Sequence, residues 1–331
     1  MQMQFNLHSP NGGLKEAARI RDRVVRAEAL GFEGVYLGCS QLSTPEPFQV
    51  LACCATATSR IKLGTAVTNM VYQDPTVLAG SAATLSDISD GRAILGLGTG
   101  DGPVFAMGRK ATRLKEFEEG VRAIRKVLQG GELATPNGRV RVNYRLLPTP
   151  VYLSMEGPKG LRLAGRAADG VFLGSGVEPR AVSWALARIA EGAAEVGRPP
   201  DEIATLACGM VCIKDDGDEA RQIVRRRLAN RAHHNFQSTL ETVPEEEMES
   251  IKKFMGAFDQ SKPMEERSDP ALITDYLVRR FAIAGTPREC IARLEELAEA
   301  GVDRVMLTPA RRVYEETVEA LAGKVMPAFA G

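Results

Sequence analysis

Residues 94–103, ILGLGTGDGP, join a short apolar run to a glycine-rich stretch that contains a single acid, Asp101. An apolar run without alternating polar residues is typical of a parallel strand that is buried on both faces. Glycine permits φ > 0 and lets a ligand approach the backbone closely. We therefore expect a buried strand and, at Gly98, Gly100 and Gly102, a flat, open floor with Thr99 and Asp101 as its polar edges. The spacing is GxGxG, which does not satisfy the dinucleotide-binding pattern GxGxxG.

The same unit, an apolar run followed by a helix-like segment, recurs along the whole chain. The eight runs are MQFNLH (3–8), GVYLGC (34–39), IKLGTAVT (61–68), AILGLGTG (93–100), VYLSME (151–156), GVFLGS (170–175), TLACGMVCI (205–213) and RVMLTP (304–309). Eight alternating strand and helix units over 331 residues favour a single (β/α)₈ TIM barrel spanning residues 1–331. The alternative is a flavodoxin-like or Rossmann sheet followed by a second domain.

Several helices carry clear signals at their ends or along one face. Asp74 followed by Pro75 predicts a helix start. Thr286, Pro287 and Glu289 predict a capping box. Apolar residues from Leu114 to Leu128 recur at spacings of three and four, which predicts a helix near 112–129. The charged segment 217–231 is predicted as one helix with a solvated basic face.

Two segments interrupt the repeating pattern. Residues 130–150 form an excursion after the fourth helix, with a predicted hairpin turn at Asn137-Gly138. Residues 232–275 form a long polar insertion between strands 7 and 8. In a barrel, an insertion at this place would cover the face that carries the active site. The other interpretation is a spacer exposed to solvent.

Composition excludes several classes of function. Forty-two basic residues balance forty-two acidic ones, which gives no long-range attraction to nucleic acid or to an anionic membrane. The six cysteines form no CxxC motif, and no apolar stretch has the length of a membrane span. We expect a cytoplasmic protein with reduced thiols. The three histidines have no metal-ligand spacing, so we expect no metal site.

In a TIM barrel the functional residues lie at the carboxyl ends of the strands. Met155 to Lys159 (MEGPK) place a glycine and a proline at a helix start, which predicts an anion site to which Lys159 adds charge. Gly174, Ser175 and Gly176 repeat the arrangement one unit along. At the end of strand 1, His8 is placed to act as an acid or a base; a partnerless core histidine is the other interpretation.

Three stretches together resemble the luciferase-like monooxygenase superfamily, and in particular its branch of coenzyme F420-dependent methylenetetrahydromethanopterin reductases. They are residues 61–101, residues 151–176 (VYLSMEGPKGLRLAGRAADGVFLGSG) and residues 281–307 (FAIAGTPRECIARLEELAEAGVDRVML).

The resemblance implies a dimeric barrel that binds FMN or the deazaflavin F420 at the carboxyl ends of the strands. It implies a bulge in strand 3 with a non-prolyl cis peptide at Ala66 and Val67, within the strand end that runs to Asn69. It also implies that Thr99, Gly100 and Asp101 lie beside the ring. The phosphate-proximal stretches of the family correspond to Met155, Glu156, Gly157, Pro158 and Lys159, and to Gly174, Ser175 and Gly176.

The chain departs from the family at two strand ends. Many F420-dependent relatives carry an Asp-His pair after strand 2, where this chain has Gly38-Cys39-Ser40-Gln41, and Asn6 stands where the reductase is expected to have an acid. The pterin substrate therefore does not carry over. Asp101, His8, Ser40 and Gln41 are the candidates for proton handling or substrate orientation.

Three hypotheses follow for the function. The first is F420-dependent hydride transfer to or from a small organic substrate. The second is an FMN-dependent monooxygenase served by a partner flavin reductase. The third is a non-catalytic flavin-binding protein.

Overall fold

The computed structural model describes residues 2–8, 16–41, 44–260, 262 and 266–330. The strands within these ranges are β1 Gln4–His8, β2 Gly34–Leu37, β3 Lys62–Thr65, β4 Thr68–Asn69, β5 Ala93–Gly98, β6 Leu133–Thr135, β7 Gly138–Val140, β8 Val151–Met155, β9 Gly170–Leu173, β10 Ala204–Ile213, β11 Ala282–Gly285 and β12 Arg304–Pro309.

The α-helices of the same ranges alternate with the strands. They are α1 Glu16–Ala29, α2 Pro47–Ala57, α3 Pro75–Ile88, α4 Gly102–Ala106, α5 Leu114–Leu128, α6 Pro158–Ala167, α7 Pro179–Ala194, α8 Gly217–Arg225, α9 Ala229–Thr239, α10 Met248–Ala257, α11 Asp275–Phe281, α12 Pro287–Glu299 and α13 Tyr314–Ala320. None of these described helices combines the length and the apolar character needed to cross a bilayer.

A closed parallel sheet forms the barrel. Its strands follow the order β1, β2, β3, β5, β8, β9, β10 and β12, and β12 pairs with β1 to complete the ring. The closing ladder joins Gln4 to Arg304 and Leu7 to Leu307. These eight strands are the eight apolar runs of the sequence, so the predicted (β/α)₈ barrel is confirmed and the open doubly wound sheet is wrong.

The barrel interior is filled by large side chains from different strands. Tyr36, Ile94, Phe172, Leu206 and Met306 form one buried cluster. The ring of Phe172 lies edge-on to the ring of Tyr36, with 5.1 Å between their centroids. A filled interior of this kind leaves ligands room only at the ends of a barrel.

Strand 3 of the barrel contains a bulge. Gly64 is opposite Ile94 on β5, whereas Thr68 is opposite Leu97. Four steps along one strand therefore match three along the other, which is one extra residue. A bulge bends the strand and changes the direction of its side chains.

Two features of the second half differ from the sequence prediction. The segment 217–231 is two helices, α8 and α9, because the chain leaves helical pairing between Arg225 and Ala229. β11 is an additional parallel strand that pairs with β10 from Met210↔Ala282 to Ile213↔Gly285. The sequence analysis missed β11 because four small or apolar residues directly before a capped helix give little strand signal.

Several local signals agree with the structure. Asp74 accepts a hydrogen bond from the Thr76 amide at 2.8 Å, and Thr286 and Glu289 form the predicted capping box. Residues 133–140 form a hairpin, in which Thr135 is opposite Gly138. Its two-residue connection is therefore Pro136-Asn137, one position earlier than predicted.

The segment from α8 to α11 has an apolar core separate from that of the helical layer. Val224, Phe236, Phe254 and Leu277 are among its fully buried side chains. One cation, Arg280, lies within the same region with no exposed surface. α9 therefore packs against an apolar core that is separate from the main core.

Gly96→Ala tests the packing between β3 and β5. A Cβ at residue 96 would lie 1.9 Å from the Thr65 carbonyl oxygen, which is backbone and cannot move aside. We expect the substitution to lower the free energy of unfolding in urea by about 3 kcal/mol or more. Gly102→Ala is the matched control, since nothing lies within 4 Å of the added atom. Equal stability of the two variants would contradict this account.

Candidate functional site

A cleft of about 560 Å³ opens at the carboxyl ends of the strands. One wall comes from the bulge and the end of β5, and the other comes from β8, the start of α6 and α9. The lining residues are Cys39, Val67, Thr68, Asn69, Gly98, Thr99, Gly100, Asp101, Pro103, Val104, Leu114, Ser154, Met155, Glu156, Gly157, Pro158, Lys159, Gly160, Arg231, His234, Gln237 and Ser238. Its volume is within the ~300–1,000 Å³ range of small-molecule sites.

A larger groove lies elsewhere, on the outside of the barrel between α8, α11 and α12. It measures about 1070 Å³. Its arginines already have carboxylate partners: Arg221 pairs with Asp218, and Arg293 with Glu296. We place the functional site in the smaller cleft because that cleft lies where the strand ends of the barrel converge.

The bulge supplies one side of the cleft. The peptide bond between Ala66 and Val67 is cis, at the position that the resemblance implies. Val67 and Asn69 line the cleft, whereas Ala66 is not among the lining residues. The Ala66 amide donates to the Leu37 carbonyl at 2.8 Å, and the Asn69 side-chain oxygen accepts from the Val71 amide at 3.0 Å. These bonds hold the bulge against β2 and orient Asn69.

Gly98, which ends β5, and Gly100, two residues later, have a different role from the one expected. A Cβ on Gly98 would lie 2.9 Å from Val67, and one on Gly100 would lie 2.8 Å from Val104. For Gly98 and Gly100 the expectation of open space is therefore wrong in the direction of the missing side chain, whereas nothing lies within 4 Å of a Cβ on Gly102. Gly100 also has φ +100°, a conformation that favours glycine. Both residues line the cleft all the same.

The start of α6 forms the opposite side. Gly157 is the N-cap residue and Pro158 the first helical residue, and within the described chain no side chain caps this end. Uncapped amides and the helix dipole make such a terminus favourable for an anion. Lys159 is exposed at the same end. The structure thus brings Met155 to Lys159 to one edge of the cleft.

The side chain of Glu156 is held by α9. Arg231 forms an ion pair with it at 2.6 Å, and His234 Nε2 lies 3.8 Å from its carboxylate. Asn235 donates to the same carboxylate at 3.4 Å. The sequence analysis missed these α9 residues because it interpreted the basic segment as a solvated face. The spacing of 231, 234 and 238, which places polar residues on one helix face, was the available signal.

A buried polar network fixes α9 in place. Asn235 has no exposed surface and donates to the Gly174 carbonyl at 3.0 Å, while its oxygen accepts from Thr239 at 2.7 Å. Arg280 donates to Thr242 at 2.6 Å and lies 3.7 Å from the Glu178 carboxylate. Burial lowers the pKa of Arg280. The Nε of Arg280 has no hydrogen-bond partner within the described residues, but the other bonds of the network join α9 to the end of β9 and to Thr242.

Gly174, Ser175 and Gly176 lie beneath this network and are not among the residues that line the cleft. The Gly174 carbonyl accepts hydrogen bonds from Arg231 and Asn235. Ser175 is fully buried. Gly176 has φ +100°, and a Cβ there would lie 2.2 Å from the Arg280 carbonyl oxygen. Their part in anion binding stays a prediction.

The four candidate catalytic residues are spread around the cleft. Asp101 lines it and is exposed. The Gln41 side-chain amide donates to the Pro103 carbonyl at 3.0 Å, and the Ser40 amide donates to the Thr44 hydroxyl at 3.1 Å. His8 lies behind the cleft, with its Nε2 3.3 Å from where a Cβ on Gly38 would be. Of the four, only Asp101 is among the lining residues.

Burial changes the chemistry of His8 and Cys39. It lowers the pKa of His8 from 6.5 to about 4, against a smaller opposite effect of a hydrogen bond with the Ala66 backbone. His8 is therefore neutral near pH 7. Burial likewise raises the pKa of the Cys39 thiol. Among the described residues no cluster of three His, Cys, Asp or Glu side chains is arranged to hold a metal ion.

The barrel, the bulge and the cleft define a family. The chain belongs to the luciferase-like monooxygenases, whose family model matches residues 3–304. This confirms the resemblance inferred from the sequence.

Particular relatives are similar over most of the chain. A 5,10-methylenetetrahydromethanopterin reductase of Methanopyrus kandleri is 31% identical over 92% of both chains. The solved structure of a coenzyme F420-dependent tetrahydromethanopterin reductase from the same organism has a TM-score of 0.76 at 26% identity, and the match covers 99% of this chain and 100% of that one. An F420-dependent glucose-6-phosphate dehydrogenase of Beutenbergia cavernae is 27% identical over 92% of this chain and 90% of its own.

The lowered pKa of His8 predicts a pH effect on stability. Below pH 6.5 the unfolded chain takes up a proton that the folded chain binds only near pH 4. The contribution of a neutral His8 is therefore complete above pH 6.5 and is lost as the pH falls towards 4. His8→Gln should reduce the pH dependence of the unfolding free energy across this window by about 2 kcal/mol. Parallel curves for the two proteins in urea would contradict the assignment.

Proposed function

We propose that this protein is an F420-dependent oxidoreductase that transfers a hydride to or from a small organic substrate. The observation that carries the proposal is the cleft itself, in which the bulge at Val67 faces the start of α6 across the ends of the strands. The proposal is supported by similarity to relatives whose names include dependence on F420.

The residues of the cleft fit a planar ring with an anionic tail. Val67 and the backbone from Gly98 to Gly100 offer a surface with few polar side chains. The uncapped end of α6 offers backbone amides and the positive end of a dipole. The lining of the cleft therefore changes from an apolar surface to an anion-binding helix start, as a planar ring with an anionic tail requires. A bound deazaflavin would supply the hydride chemistry, since its ring accepts or donates a hydride.

The chain would bind and orient the two reactants. Val67 and Asn69 would support the ring, and Asp101, at the exposed rim, would orient the substrate or exchange a proton with it. Ser40 and Gln41 would shape the substrate end, where Gln41 ties the loop after β2 to Pro103. His8, neutral near pH 7, would act as a hydrogen-bonding group rather than as a proton carrier. Gly157, Pro158 and Lys159 would hold the tail.

The second candidate function is an FMN-dependent monooxygenase, and the family to which the chain belongs is described by that activity. It would depend on a separate flavin reductase for reduced FMN. We also propose that the protein is a cytoplasmic homodimer, which is supported by the family resemblance and by the composition alone.

A differential titration separates the cofactors. We expect the purified protein to bind F420 at least about tenfold more tightly than FMN, because relatives that are similar over most of the chain are named as F420-dependent. Equilibrium fluorescence quenching at pH 7 with either cofactor is the measurement. Preference for FMN would support the monooxygenase instead.

A single-turnover experiment separates an enzyme from a binding protein. Reduced F420 bound to the protein is mixed with a panel of small carbonyl compounds, and reoxidation is followed by absorbance. Reoxidation that depends on one of them supports the oxidoreductase. Tight binding with no reoxidation by any compound, also with oxygen present, favours the non-catalytic flavin-binding protein.

A further inference from the structure

Glu156 puts a negative charge at the place where an anionic tail is proposed to bind. It directly precedes Gly157, the N-cap residue of α6, and both line the cleft. Two like charges a few ångströms apart repel each other strongly at a partly buried site. An uncompensated Glu156 would therefore cancel much of the attraction that the helix start and Lys159 provide.

Arg231 is placed to remove this repulsion. Its guanidinium lies 2.6 Å from the Glu156 carboxylate and also donates to the Gly174 carbonyl. Residue 174 must be glycine for this arrangement, because a Cβ there would lie 2.3 Å from Glu156 Cγ and 2.9 Å from Arg231 Nη2. The ion pair of Glu156 and Arg231 thus lies against Gly174, just after the end of β9, where there is no side chain in its way.

Asn235 fixes the geometry of the ion pair between Glu156 and Arg231. Asn235, one turn further along α9, donates to the Gly174 carbonyl at 3.0 Å and to Glu156 at 3.4 Å. Asn235 is fully buried, and the side chain of Glu156 is only 13% exposed. The carboxylate is therefore held where a ligand at the helix start would meet it.

We propose that Arg231 is a positioning residue that neutralises Glu156 and so admits the anionic tail of the cofactor to the start of α6. This inference rests on the proposed function and extends it to the insertion side of the cleft. The tail is bound by α6 and Lys159, and the affinity for it depends on Arg231 because Glu156 is present. Arg231 has little effect on the binding of the ring.

The other charged groups around the pair do not replace Arg231. Lys159 is exposed in the first turn of α6, and His234 Nε2 lies 3.8 Å from Glu156, beyond a hydrogen bond. His233 stacks on Phe258 with 3.9 Å between the ring centroids, away from the carboxylate. The guanidinium is the group in direct contact.

The test compares two ligands and four proteins. The ligands are F420 and the deazaflavin riboside that lacks the anionic tail, with FMN and riboflavin as a parallel pair. The proteins are the wild type, Arg231→Gln, Glu156→Gln and the double variant. Dissociation constants are measured by fluorescence quenching at pH 7, at low and at high salt. Arg231→Lys, which keeps the charge, and Arg122→Gln, which removes an exposed cation paired with Glu118, are the controls.

The expected effect on F420 binding differs between the two single variants. Arg231→Gln should weaken F420 binding by about tenfold or more, and less so at high salt, and should leave the riboside within about twofold. Glu156→Gln should not weaken F420. The double variant should return to within about threefold of the wild type. Arg231→Lys should keep most of the affinity, and Arg122→Gln should change nothing.

Two results would overturn the inference while leaving the proposed function intact. One is equal weakening of F420 and the riboside in Arg231→Gln, which indicates a role in folding the cleft. The other is a double variant as weak as Arg231→Gln. If the wild-type protein binds FMN and does not bind F420, the F420 assignment is refuted. The role of Arg231 is then tested by comparing FMN with riboflavin in the same four proteins. A wild type that binds neither cofactor overturns both proposals.

Discussion

The ladder between β1 and β12 closes the barrel, and the cleft exists because of this closure. Once the sheet is a ring, all the parallel strands end at one face, so that residues from Cys39 to Ser238 meet around a space of about 560 Å³. In an open sheet the ends of β2, β3, β5 and β8 would lie along a line and would not curve around a ligand. The filled interior then leaves that face as the place for chemistry.

Three local features make the cleft at the end of the closed barrel asymmetric. The bulge around Ala66 and Val67 turns one strand end towards the cleft. Tight packing of Val67 against Gly98 and of Val104 against Gly100 holds the end of β5 close. On the other side, a network from Asn235 to Arg280 anchors α9 over β8 and β9. Each of these three features depends on contacts that would be lost if the barrel opened.

On the proposal made for Arg231, its charge makes the partly buried acid Glu156 compatible with an anion site at the start of α6. Glu156 stands beside a helix start that favours negative ligands, and Arg231 comes from a helix 75 positions later in the sequence. The same proposal links α9 to ligand binding, because Arg231 and Asn235, which helps to fix it, both belong to α9. Under the proposal, changes in α9 would alter the affinity for a cofactor tail without altering the barrel.

The sequence by itself determined the repeating architecture and much of the site. Continuous apolar runs at regular intervals predicted the eight strands, since burial on both faces requires apolar residues throughout. Strand ends rich in glycine predicted Thr99 to Asp101 and Met155 to Lys159, all of which line the cleft. The caps at Asp74 and Thr286 were equally local and equally predictable.

Only the tertiary structure decided what fills the space beside those glycines and which residues cross the cleft. Val67 and Val104 occupy the directions expected to be open because a bulge and a short helix bring them there, and no spacing in the sequence encodes that approach. The break between α8 and α9, the added strand β11 and the pairing of Arg231 with Glu156 depend on how the insertion packs against the barrel. Burial also determined that His8 stays neutral well below pH 6.5, where the same imidazole in water would take up a proton.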